Sequence, residues 1–367
     1  MPLPNAVERD APAPAGLRVL ARPAYANRSL NPYNHRISTE LARRGVAVYE
    51  YRPWSWFARR YDVAHVHWPE STFNHGLAGA LATTETLLRV LDALRARGTR
   101  VVWTAHNVRS HGGRYPRPEA AFWRRFAERV DGVIALTEGG VAEARRAHPG
   151  LAGRPAFVVP HPHYRGEYDD ALTREGARRR LGLPAGARVL LFFGQIAEYK
   201  NVPSLVREFA GLDDPSARLV VAGRPKTAAL AAEIAAAAAG DGRVVVAGAY
   251  VAPGRVQEYF RAADAVVLPY RDILNSGSAL LALSFDRPVL LPRVGAFGEL
   301  RAAAGEAWVR GYDELSPGAL AGLLDHAASL PERTDGAHLA ALSPAAAAAA
   351  TIAAYEALLG GARGGGA

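Results

Sequence analysis

At 367 residues the chain exceeds one ordinary domain and suits two of roughly 150 to 180 residues, each able to bury its own core. Hydrophobic residues make up 49% and charged residues 22%, a globular balance, and the absence of cysteine excludes a disulfide, a thiolate zinc site and a cysteine nucleophile. The net charge of +9 lies almost wholly in residues 1–170, where 24 Arg and Lys face 16 Asp and Glu, so that half should meet something anionic: nucleic acid, an acidic lipid surface or a phosphorylated acceptor.

In chain order, Met1 to Gly16 is rich in Pro and Ala and carries Glu8 and Asp10 where a secretory signal needs an unbroken apolar stretch. It reads as a disordered leader on a cytoplasmic chain. From Leu17 onward, short β-branched runs alternate with amphipathic helical stretches, the pattern of a parallel sheet covered on both faces. Strands are predicted at Leu17–Ala21, Val46–Tyr51, Val63–His67, Arg100–Thr104, Gly132–Leu136 and Phe157–Val159, with helices at Asn34–Arg44, Leu77–Arg97 and Pro118–Val130. These make one doubly wound, Rossmann-like domain over residues 17–165. Residues 166–186 are polar, hold Gly and Pro, and fit a hinge with a short basic helix at Thr173–Leu181.

A second series follows over residues 187–341. Its strands fall at Arg188–Phe193, Arg218–Ala222, Val244–Ala247, Ala265–Leu268 and Val289–Leu291, and its helices at Ser204–Phe209, Ala228–Ala239, Pro253–Ala262 and Gly277–Ser284. The fold class is therefore α/β, with two Rossmann-like domains facing a central cleft. Residues 342–360 form an Ala-rich helix that packs back toward the first domain, and the Gly-rich residues 361–367 form a disordered tail. No run approaches the roughly 20 apolar residues of a membrane span.

Ligands of open α/β sheets sit beyond the carboxyl ends of the strands, which singles out a few loops. The strand ending at Phe193 runs into Gly194 and Gln195, and Lys200, one of two lysines, follows as a compact cation suited to a diphosphate. Gly alone would also suit a plain turn with a solvated Lys. The run Tyr270 to Ser278 passes from a strand into an apolar helix, and Asn275, Ser276, Gly277 and Ser278 place hydroxyls and free N–H groups at the positive end of its dipole. The bland alternative is an ordinary Ser cap. Arg224, in the loop Gly223 to Lys226, and Tyr250 complete the expected donor side.

In the first domain, His67, Trp68, Pro69 and Glu70 end one strand, and His106 and Asn107 end the next. Glu70 beside an aromatic wall is a candidate general base, with His106 the other candidate; a structural cap or a core histidine are the competing readings. Asn31, Tyr33, Asn34, His67, Trp68 and Asn107 form the expected acceptor side. At the hinge, His161, His163 and Tyr164 border the cleft. Their spacing resembles a metal pair, but the intervening Pro162 and the lack of a third ligand argue against a metal. The segment Tyr51 to Arg60 mixes Trp54, Trp56 and Phe57 with Arg52, Arg59 and Arg60, and suits either an anionic membrane surface or a buried connection with a basic face.

The chain resembles the GT-B glycosyltransferases, and among them the bacterial exopolysaccharide β-1,4-mannosyltransferases of the xanthan-assembly type. The resemblance rests on Asn31-Pro32-Tyr33, Tyr61-Asp62-Val63 through His65 to Glu70, His106-Asn107, His163-Tyr164-Arg165, Phe193-Gly194 with Tyr199-Lys200, Val267 to Arg271, Asn275 to Ser278 with Leu280 to Ser284, and Arg287-Pro288-Val289-Leu290. It implies a GDP-mannose donor, inversion at the anomeric carbon, no metal or other cofactor, and a polyprenyl-diphosphate-linked glycan as acceptor; the aromatic and basic segment Tyr51 to Arg60 suggests in addition a place at the inner face of the plasma membrane. Gln195 stands where retaining relatives commonly carry Arg, and Leu281 about where they carry a second Glu, so a retaining mechanism does not fit. Another nucleoside diphosphate sugar as donor, an epimerase on the same scaffold and a sugar-nucleotide sensor without turnover are the competing functions. A nucleic-acid module fits the charge but finds no recognition motif.

Overall fold

In the computed structural model, the described residues are 16–360 without 27, 29, 30, 53, 75, 110–113 and 272–275, and without the side chain of residue 74. The expected leader, except Gly16, the tail and Asn275 therefore lie outside them. The chain divides into two compact units, residues 1–160 with 344–367, and residues 161–343.

Unit 1 is built on strands β1 (Arg18–Arg22), β2 (Ala47–Glu50), β3 (Val63–His67), β4 (Arg100–Ala105), β5 (Gly132–Ala135) and β6 (Ala156–Val158). All are parallel, in the order β2-β1-β3-β4-β5-β6. Its helices are α1 (Tyr33–Arg43), α2 (Ser55–Ala58), α3 (Leu77–Ala96), α4 (Pro116–Ala127) and α5 (Glu138–Ala147). The sheet winds outward in both directions from β1 and β3, which makes the gap above their carboxyl ends the topological switch point. Central position explains why every residue of β3 is buried, its two histidines included.

Unit 2 begins with α6 (Arg174–Arg180) and continues with β7 (Arg188–Phe193), α7 (Val202–Ala210), β8 (Ala217–Ala222), α8 (Ala228–Ala238), β9 (Val244–Ala247), α9 (Val256–Ala262), β10 (Ala265–Val267), α10 (Gly277–Ser284), β11 (Val289–Pro292), α11 (Phe297–Ala304), β12 (Val309–Tyr312) and α12 (Pro317–Ala328). Its strands are also parallel, in the order β12-β11-β10-β7-β8-β9, with the switch point between β7 and β10. Helix α10 is apolar on every side, and Ala279 to Ser284 are all buried, as a helix without a polar face must be.

Two expectations change. The stretch 166–186 is not a free hinge but part of unit 2: the buried Arg178 donates to the Ala262 and Ala185 carbonyls and to Asp264, which ties α6 against α9. An apolar segment of spanning length also exists among the described residues, Ala337–Gly360, with a mean hydropathy of 1.4. Alanines give it that value. Its helical end, α13 (Pro344–Gly360), buries Ala347, Ala348, Ile352, Ala354, Tyr355 and Leu358 in the core of unit 1, beside Leu17, Val19, Ile37 and Leu41.

Candidate functional site

In unit 1 the carboxyl ends of β3 and β4 and the amino end of α1 bring aromatic and titratable side chains together. Trp68 adopts φ 44°, a left-handed conformation uncommon for a bulky residue, and its indole stacks on the His106 ring at 4.2 Å and 19°. Tyr33 meets the same imidazole edge-on at 4.6 Å. His67 Nδ1 and His106 Nε2 are hydrogen-bonded at 3.1 Å. Both rings are buried, and burial together with the neighbouring imidazoles His65 and His106 holds His67 well below the usual histidine range, so it stays neutral.

Glu70, 5% exposed, follows β3 in a 3-10 turn, Pro69–Asn74. The Asn107 side-chain amide donates to its Oε1 at 3.0 Å, while Oε2 has no partner among the described residues. Burial raises its carboxyl to about 7; the Asn107 bond opposes the rise and nearby Glu119 adds to it. A carboxylate half ionised at neutral pH, with one oxygen uncommitted, is chemically a proton acceptor. Asn31 and Asn34 do something else. Asn31 Oδ1 accepts from the Tyr33 amide in a local turn that leads into α1, and Asn34 Nδ2 donates to the Pro23 carbonyl.

In unit 2, β7 and β8 each end in a glycine that the geometry requires. Gly194 has φ +124°, and a β-carbon there would lie 2.9 Å from Ser278 Oγ and 3.4 Å from Lys200 Nζ. Gly223 has φ +150°, and its β-carbon would sit 1.9 Å from the Gly194 carbonyl oxygen. Gly194, Lys200 and Ser278 therefore converge on one point at the switch of the sheet. Lys200 has no carboxylate partner among the described residues; its ammonium lies 5.4 Å from the Tyr270 ring, and burial lowers its pKa. Tyr270 is buried, which raises its phenol, against hydrogen bonds from Ser278 and Ser276. Ser276 caps α10, accepting from the Ala279 amide at 3.1 Å.

Tyr164 joins this cluster. A β-carbon on Gly277 would meet its hydroxyl at 3.4 Å, its amide donates to Ser284 Oγ at 2.8 Å, and its hydroxyl lies 3.3 Å from His161 Nε2. Burial pushes His161 down to about 4. His163 serves the backbone instead: its Nδ1 accepts from the Arg165 amide, and its own amide donates to the Leu342 carbonyl. Gln195 and Arg224 are exposed on the two glycine loops, which a backbone bond from Ile196 to the Arg224 carbonyl joins. Tyr250 is 65% exposed, and no hydrogen bond or ring contact among the described residues ties it to the cluster. The arrangement offers an anion a cation that no described carboxylate pairs, hydroxyls and a helix amino end.

The residues that escaped the sequence reading sit beneath the unit 1 cluster. His65 is bonded on both nitrogens, to Tyr355 and to Thr104. Its period-two spacing with His67 was the available signal; Tyr355, 290 residues away on an alanine-rich helix, carried none.

A family model described as glycosyl transferases group 1 matches residues 187–321. The GDP-mannose:glycolipid 4-beta-D-mannosyltransferase of Xanthomonas campestris pv. campestris is 33% identical over 276 residues, 74% of this chain and 73% of that protein. A D-inositol 3-phosphate glycosyltransferase of Thermobispora bispora is 31% identical over 303 residues, 78% of this chain and 66% of its own length. Among solved structures, sucrose-phosphate synthase from Thermosynechococcus elongatus superposes with a TM-score of 0.60 at 16% identity, over 95% of this chain and 97% of that one.

Proposed function

The chain belongs to the group 1 glycosyl transferases and has their GT-B fold, and on that premise we propose that it transfers mannose from GDP-mannose, with inversion and without a metal, to a lipid-linked glycan. The observation that carries this reading is the convergence of Lys200 Nζ and Ser278 Oγ on Gly194, a cationic cradle in which Lys200 has no carboxylate partner among the described residues. The mannosyl donor and glycolipid acceptor come from the name of the Xanthomonas relative.

The reaction is a single displacement. The acceptor hydroxyl oxygen bonds to the anomeric carbon from the face opposite the diphosphate, and its proton passes to Glu70 Oε2. The bond from that carbon to the diphosphate oxygen breaks, and the electron pair leaves with GDP. Lys200, the N–H groups at the start of α10 and the Ser276 and Ser278 hydroxyls meet the charge that grows on the leaving group. Glu70 is preferred to His106 as base because its Oε2 is uncommitted and its pKa lies near neutrality, whereas His106 Nε2 is engaged by His67.

Stabilisation by nucleoside diphosphates in a thermal-shift panel tests the donor: GDP is expected to raise Tm more than UDP or TDP. Preference for UDP overturns the GDP assignment. Replacing Lys200 by Ala should cost on the order of 2.7 to 4 kcal/mol of transition-state stabilisation, about 10²- to 10³-fold in kcat. EDTA should leave turnover unchanged.

A peripheral place on the cytoplasmic membrane surface is part of the same proposal. Tyr51 and Trp56 of the aromatic segment pack against the unit 1 core, but Trp54 and Phe57 are 59% and 57% exposed, with Arg52, Arg59 and Arg60 exposed around them, so these two rings are not spent on the core. Failure to co-sediment with anionic vesicles sinks that part alone.

A further inference from the structure

A fully buried central strand has no need of histidine, yet β3 carries His65 and His67 two residues apart, hence on one face. An imidazole in such a core is costly unless its nitrogens are bonded. Both nitrogens of His65 are. Nδ1 lies 2.6 Å from the Tyr355 hydroxyl and Nε2 lies 2.6 Å from Thr104 Oγ1. Tyr355 is wholly buried, and the phenol is the stronger acid of the two hydroxyls, so it donates to Nδ1 and leaves the hydrogen on Nε2, which donates to Thr104. The Tyr355 ring also meets the imidazole edge-on, at 5.6 Å and 88°. His65 in turn lies against His67, with centroids 4.0 Å apart, and His67 is bonded to His106.

We propose that Tyr355, from the C-terminal helix α13, is a positioning residue for the acceptor-side histidines, setting the tautomer and plane of His65 and through it the His67–His106 pair. The proposal rests on the reading of Glu70 as the base and of the His67–His106 pair as part of the acceptor side. Burial pushes His65 down to about 3, which agrees with a neutral ring. The groups facing the three imidazoles are Tyr33 from α1, Tyr355 from α13 and Thr104 from β4; Glu70, with Arg22 acting on it, is tied to Asn107, the residue after His106. Without the phenol, Nδ1 loses its donor, and the neutral ring is free to carry its hydrogen on Nδ1 and to turn against His67, which it meets at 4.0 Å. The segment that returns from unit 2 to unit 1 thus contributes to the site and not only to the core.

The test is Tyr355→Phe in the full chain, compared with Leu358→Ala on the same helix. Leu358 packs over Gly132 of β5, so its loss loosens the same helix without touching the histidines. With ¹⁵N-labelled histidine, Tyr355→Phe is expected to move His65 away from the Nε2–H tautomer and to shift the His106 nitrogens. With GDP-mannose, kcat should fall roughly tenfold, the worth of one lost hydrogen bond, while the donor KM stays unchanged and the acid limb of the pH profile moves. Leu358→Ala should lower Tm and change neither the histidine spectrum nor the pH limb. A Tyr355→Phe protein that keeps the wild-type His65 and His106 signals overturns the proposal, whatever its Tm. So do wild-type kcat and pH profile beside inactive Glu70→Gln and His106→Gln. Full activity of both of those variants overturns instead the site reading beneath the proposal, and the histidine spectrum tells the two failures apart.

Discussion

Glu70 carries an electrostatic cost that a base in this position must bear. Its folded pKa of about 7 lies above the unfolded value near 4.5, so the folded state binds the proton more tightly. Below about pH 4.5 both states are protonated and burial is not penalised; as pH rises from 4.5 through 7 the unfolded chain gives up its proton first and the buried carboxyl only near 7, so stability is lost across that window and levels off above it. That loss is on the order of 3 kcal/mol. Glu70→Gln keeps the oxygen that accepts from Asn107 and removes the ionisation. It should therefore abolish turnover while stabilising the protein at pH 8, with little effect on stability at pH 4.5. Equal stability changes at both pH values, by urea denaturation, would show that Glu70 is not the shifted group. In the wild type, kcat/KM should rise with pH through about 7, because the base acts when deprotonated. A flat profile between pH 6 and 8 removes Glu70 from that role.

Elements rather than side chains set the anion cradle. Two adjacent strands, β7 and β8, end in glycines whose conformations other residues rarely adopt, and the loops they open touch each other. Gly223→Ala drives a β-carbon into the Gly194 carbonyl and should destabilise unit 2 by several kcal/mol. Gly194→Ala has milder contacts, with Ser278 Oγ and Lys200 Nζ at side-chain ends, but it fills the space an oxyanion needs. Nucleoside diphosphate affinity should fall more than tenfold in Gly194→Ala, with a smaller loss of Tm than in Gly223→Ala; the reverse ranking of Tm contradicts the geometry. Much of this was legible in the sequence. Strands β3, β7 and β9 and helix α10 lie at the predicted bounds, because β-branched runs and an apolar helix after a Ser-Gly-Ser turn are strong local signals. Helix α5 was not, since Gly139 and Gly140 lie in its first turns, and neither was β12, where Arg310 and Gly311 interrupt a four-residue strand. The cradle was legible as a set of residue types; the partnership of Tyr164 with α10 and of Tyr355 with His65 was not, because both are long-range contacts.

At the scale of the molecule, unit 1 is assembled from two segments of chain, and its second segment is a single alanine-rich helix. Alanine supplies helix propensity, but the larger buried side chains of α13, Ile352, Tyr355 and Leu358, supply the anchoring. Burying each is worth roughly 1.5 to 3 kcal/mol, so together they approach the whole stability of an ordinary domain, about 5 to 15 kcal/mol. Removing residues 344–367 should therefore unfold unit 1, expose β3 with its histidines, and abolish transfer. Unit 2 contains every donor-side residue in the cluster, namely Tyr164, Gly194, Lys200, Tyr270 and Ser276 to Ser278, and the deleted helix is not part of it. GDP should still bind the truncated protein, and hydrogen exchange should show residues 161–343 protected while residues 16–160 exchange freely. Protection of β3 and β4 in that protein would mean that unit 1 closes its core without α13, and the C-terminal helix would then be a passenger on the fold rather than one of its walls.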